Sequence, residues 1–168
     1  SDPDYAAMVM ANYMLGGGIT ARLPDRIRNR EGLSYGVGSN FSAPAEGNAA
    51  VFSASAIANP ANIAKVEFSF TDELARTLRD GFAAEELAAA QQALLDERTG
   101  SRSSDRGLLS LMSARERWGR TLARDADLDR ALAALTVDEV NAAFRRHINP
   151  AAISIVKGGD FGATDPPQ

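Results

Sequence analysis

Cysteine is absent from the 168 residues, and histidine occurs once. Without cysteine there is no disulfide, no thiolate metal site and no cysteine nucleophile. The compartment stays open, because a disulfide-free domain folds equally well in the cytosol or the periplasm. With His147 as the sole histidine, neither H-E-x-x-H nor the inverted H-x-x-E-H pattern can be written, so the chain cannot build an ordinary catalytic zinc site. A Ser-His-Asp triad would have to use His147, and no nucleophile-elbow sequence accompanies it. His147 falls in the last turn of an expected helix, where a cation suits the dipole and the role is surface or capping. Long apolar runs are also missing, so no segment reads as a bilayer span. Lysine is scarce, since sixteen of the 18 basic residues are arginine, and the 22 acidic residues outnumber them for a net charge of -4. Charges of both signs are interspersed, which speaks against a nucleic-acid-binding patch.

What the chain does have is enough apolar content, 45%, for the core of one domain. Tyr5, Met8, Val9, Asn12, Tyr13 and Leu15 form a stripe at helical spacing, closed by Gly16-Gly17-Gly18. Thr20 is placed to cap a second helix that carries Pro24 in its first turns and breaks at Glu31-Gly32. Ser34–Ser42 and Ala49–Ala58 read as two strands of an antiparallel hairpin, with a turn over residues 44–48. Asn59-Pro60 starts a long helix reaching about Arg79, which Asp80-Gly81 stops. Ala84 to about Glu97 is an alanine-rich helix, followed by a polar break from Thr99 to Ser104. Further helices are expected over Arg106–Trp118 and Leu128–Leu135. Thr136-Val137-Asp138-Glu139 is a capping box for a helix through Arg146. Asn149-Pro150 ends that helix, and Ala151–Lys157 reads as a final short strand. The tally is α+β: a small, mostly antiparallel sheet with helices on one face. One domain over residues 1–162 is expected, with 163–168 as a disordered tail. Three strands are few for so many helices, and the opening at Ser1-Asp2-Pro3-Asp4 reads as that of a piece lacking a preceding strand.

Several groupings invite chemistry and mostly decline it. Gly16-Gly17-Gly18 lacks the trailing Lys-Ser/Thr of a phosphate loop and follows a helix, so it reads as a tight turn with close packing. Glu85 and Glu86 sit at a helix start, where negative charge is favourable, but neighbours in sequence face different ways. Trp118, among Arg115, Glu116, Arg117 and Arg120, reads as a half-buried anchor.

The segment from Asn12, NYMLGGGITARLPDRIRNREGLSYGVGS, is more specific. It resembles the C-terminal domain of the insulinase/pitrilysin family of zinc peptidases. The resemblance lies in Leu15–Gly18, Ala21-Arg22-Leu23, Arg28 and Gly32-Leu33-Ser34-Tyr35. It continues in the Thr136-capped helix, Asn149-Pro150 and Gly159-Asp160-Phe161, and so spans nearly the whole chain.

The resemblance implies a fold repeated in two halves, with the zinc site on the N-terminal half and this chain as the zinc-free C-terminal half. It implies that Arg28 and Tyr35, seven residues apart, contact the substrate. A guanidinium offers fixed donors to a peptide carbonyl, and a phenol can donate to the oxyanion formed at a scissile carbonyl. The implied partners are the zinc-binding half and a peptide substrate, in a bacterial protein, with periplasm favoured over cytoplasm. The bare sheet edge predicts a homodimer of the isolated piece. The rival reading is a non-catalytic scaffold or peptide-binding subunit of the same fold.

Overall fold

The structure, a computed structural model, describes residues 2–44 and 49–160. Residues 45–48 of the expected turn, Phe161 and the tail at 163–168 lie outside the described residues. Six α-helices surround a two-stranded antiparallel sheet. They are α1 (Tyr5–Asn12), α2 (Ile63–Asp80), α3 (Ala84–Arg102), α4 (Asp105–Glu116), α5 (Ala123–Ala134) and α6 (Val137–His147). The strands are β1 (Gly36–Ser42) and β2 (Val51–Ile57), in register from Gly36 opposite Ile57 to Ser42 opposite Val51. Among the described residues no helix is long and apolar enough to cross a membrane.

The core forms where α1 meets α6, with Met10, Leu15, Leu23, Ile27, Leu74, Leu132, Val140 and Phe144 essentially inaccessible to solvent. The apolar stripe expected on the first helix buries Met8 and Leu15 and half-buries Val9 and Tyr13. After α1 the chain widens into a π-helical turn, Tyr13–Gly17. Gly16 ends up against β1, where an added Cβ would lie 2.7 Å from the Ser39 nitrogen. The glycine run is therefore a close-packing device. A second π-helical segment, Pro24–Arg30, carries the arginine-rich stretch. Thr20 makes no side-chain cap for it among the described residues.

Four long-range fastenings set the helices. Asn141 exchanges hydrogen bonds with the Phe82 backbone, at 2.8 Å for the Phe82 N–H and 3.1 Å for its carbonyl. Arg145 donates to the Leu78 carbonyl at 2.8 Å, and Gly81 turns the chain between them at φ 79°, a conformation that suits glycine. Gln91 donates to the Leu132 and Leu135 carbonyls, closing the end of α5. Arg115 grips Asp125 with two bonds of 2.7 and 2.6 Å.

Two expectations need correction. The polar break at Thr99–Ser104 is mostly helix, since α3 runs on to Arg102. Arg98 and Arg102 both bind Asp129 of α5, at 2.5 and 2.6 Å, which holds the extra turn in place. The final strand at Ala151–Lys157 is not a strand. Residues Pro150–Ala152 make a 3-10 turn, and residues 153–157 pair with no strand among the described residues. Strands exist by pairing, and here a groove lies between this segment and β2.

Candidate active-site face

Residues 22 to 35 carry the chemistry the sequence singled out. Leu23 and Ile27 pin the arginine-bearing segment into the core, so the intervening arginines face three different surroundings. Arg22 is half-buried beneath Phe82, with its guanidinium 4.8 Å from the ring centroid. It donates to Glu86 at 2.9 and 2.6 Å, to the Thr77 hydroxyl at 3.1 Å and to the Gly81 carbonyl at 3.0 Å. That hydrogen bond from Arg22 is the largest cause of a Glu86 pKa below the usual carboxylate value. Glu86 also accepts the Ala83 N–H at 2.8 Å, while Glu85 points to solvent.

Arg26 is held by three carboxylates, Glu31 at 2.9 Å, Asp72 at 2.6 Å and the buried Glu73 at 3.1 Å. Burial works against its charge, and the hydrogen bonds to these carboxylates outweigh it, raising the pKa. Arg30 pairs with Asp25 at 2.9 Å. Arg28 differs from all three. It is exposed and has no hydrogen-bond or ion-pair partner among the described residues.

Tyr35 precedes β1, fixed by its backbone N–H donating to the Ile57 carbonyl at 3.1 Å. Ser34 beside it is buried and donates to the Gly36 and Ile57 carbonyls, both at 2.8 Å. The backbone is thus locked while the Tyr35 side chain stands 87% exposed. Gly32 makes the turn between the two residues at φ 62°. Arg28 and Tyr35 line one shallow cleft of about 420 Å³, together with Leu33, Ser34, Ile57 and Asn59. Ile57 and Asn59 were not singled out by the sequence. They reach the cleft only because β2 pairs with β1, a contact invisible in local spacing.

His147 sits at the end of α6 as expected, with Nε2 2.8 Å from the Asp4 carboxylate, which Arg146 also contacts. The His147 hydrogen bond is the chief cause of a lowered Asp4 pKa. Asp2, Asp4 and His147 lie within 4.8 Å of one another. The Asp4 carboxylate is already taken by two basic side chains, so this is a terminal clamp. Trp118 is 45% exposed beneath Arg117, the half-buried anchor that was expected.

The family described as the peptidase M16 inactive domain matches residues 1–94. A crystal structure of a peptidase M16 inactive domain from Pseudomonas fluorescens is similar at 29% identity and TM-score 0.74, over 89% of this chain and 35% of that one. The fold alone is shared with a conserved protein from Enterococcus faecalis V583, at 17% identity and TM-score 0.66, over 86% of this chain and 33% of the other. A protease from Helicobacter pylori shares it too, at 15% identity and TM-score 0.74, over 87% and 35%. The chain therefore spans about a third of the length of these solved chains. No curated protein sequence matches it.

Proposed function

The chain belongs to the peptidase M16 inactive-domain family, and from that premise we propose that it is the substrate-enclosing, non-zinc-binding C-terminal domain of a zinc-dependent endopeptidase or oligopeptidase. Its partner is the other half of the peptidase, which holds the zinc. When bound there, zinc supplies Lewis-acid polarisation of the scissile carbonyl and an activated water. This chain supplies hydrogen-bond donors. Arg28 binds a substrate carbonyl and orients the peptide. Tyr35 donates its phenolic proton in a hydrogen bond to the developing oxyanion.

One observation carries this reading. Of the four arginines at positions 22, 26, 28 and 30, three are neutralised by carboxylates and Arg28 is left without a partner among the described residues, in the same cleft as Tyr35. An unpaired cation beside an exposed phenol, on a locked backbone, suits a ligand supplied from outside. The hairpin face bearing exposed Asn40, Ser42, Ser53 and Ser55 then lines the chamber. The isolated chain is expected to pair with a second copy across this same face, through exposed Val51 and Ile57.

The test is peptidase activity of the pure chain with added zinc. No turnover is expected, because no donor here activates water. Robust turnover abolished by a chelator would sink the proposal. A longer protein that is itself zinc-free and inactive would point instead to a scaffold subunit.

A further inference from the structure

A second, larger groove of about 620 Å³ runs between β2 and the extended residues Ile153–Gly158. Its lining is apolar, with Phe52 and Ala56 from β2, Ile63 and Phe70 near the start of α2, and Ile153 from the far wall. Both walls are backbone edges without partners. Among the described residues β2 pairs only with β1, so its N–H and C=O groups that point away from β1 face the groove unpaired. Opposite them, the Ile153 N–H turns back to the Pro150 carbonyl at 3.2 Å, and Ser154, Ile155 and Val156 make no backbone hydrogen bond among the described residues. Val156 is 91% exposed.

Two facing rows of unpaired peptide groups above an apolar floor are the hydrogen-bonding complement of one extended chain. A helix satisfies its own backbone and would leave both rows bare. The way in is also defined. Asp4 is clamped to His147, and His147, Ile148 and Asn149 line the same groove, so polypeptide entering the domain at Asp2 passes its mouth.

We propose that this groove is a strand-receiving site, filled in the peptidase by an extended segment of the polypeptide that leads into Asp2. The segment sits between β2 and residues 153–158 and joins both into one sheet. Its chemistry is set by the walls. Alternate side chains are apolar, to cover Phe52, Ile63, Phe70 and Ile153, and proline is excluded because each edge needs an N–H. The proposal rests on the reading that this domain is one half of a larger peptidase.

Hydrogen–deuterium exchange on the longer peptidase and on the 168-residue chain tests it. Residues 51–57 and 153–158 are expected to exchange at least about tenfold more slowly in the longer protein. Aspartates placed at alternate apolar positions of the leading segment should restore fast exchange at both walls. Equal exchange in the two proteins overturns the proposal, as does protection that survives the aspartates. Protection in the 168-residue chain that rises with its concentration also overturns it, by assigning the groove to a second copy. The readout needs neither zinc nor Arg28, so an inactive peptidase still reports on the groove and the two readings fail separately.

Discussion

Arg22, Arg26, Arg28 and Arg30 are alike in sequence and differ only in what surrounds them. Replacing Arg22 by alanine leaves Glu86 and the Gly81 carbonyl without their donor. The expected cost is about 2–3 kcal/mol, which lowers Tm by about 5–10 °C in a domain of this size. Arg28→Ala should stay within about 0.5 kcal/mol of the parent, because it breaks no protein contact. Thermal melts of the two variants side by side check the contrast, and equal losses would return Arg28 to the scaffold. Spacing had marked Arg28 and Tyr35, but not why Arg28 rather than Arg22 or Arg26 is the available cation. That depends on Asp72, Glu73 and Glu86, more than forty residues away, which no local pattern reveals.

Asp125 belongs to the same scale. The Arg115 hydrogen bond is the largest cause of its lowered pKa, and burial opposes it. A folded pKa below the unfolded one contributes stability present above the unfolded value and lost as pH falls through the folded value. Stability should therefore decline between about pH 5 and pH 1, and Asp125→Asn should flatten that decline while lowering stability at neutral pH. Melts across the acid range decide it. An unchanged acid limb in the variant would remove Asp125 from the account.

At the scale of elements, the capping box on α6 is the plainest case of sequence dictating structure. The Glu139 N–H donates to the Thr136 hydroxyl at 3.3 Å, and the Thr136 N–H donates back to Glu139 at 2.8 Å. Thr136→Ala should cost about 1 kcal/mol, visible as a Tm drop of about 2–4 °C. No drop would mean that packing of Val140 and Phe144 alone holds the helix start. The hairpin and the long α2 were legible for the same reason, since alternation and the Asn59-Pro60 start are local signals. The extension of α3 through Arg102 was not, because Asp129 on α5 holds it. Nor was the loss of the last strand. Ile153, Ile155 and Val156 have strand composition, but a strand needs a neighbour, and the neighbouring position is a groove.

The whole molecule is a domain whose polar chemistry is left incomplete at one face. Its buried ion pairs are satisfied internally, while one cation and one phenol face an open cleft. That asymmetry, added to family membership, makes the chain half of an active site. The most direct measurement is turnover of the longer peptidase carrying Arg28→Ala or Tyr35→Phe, at verified zinc content. The account predicts a loss of about tenfold or more for each, about 1.4 kcal/mol of transition-state stabilisation, with zinc unchanged. Full activity in both variants of a zinc-loaded peptidase would contradict it and leave this domain a wall of the chamber.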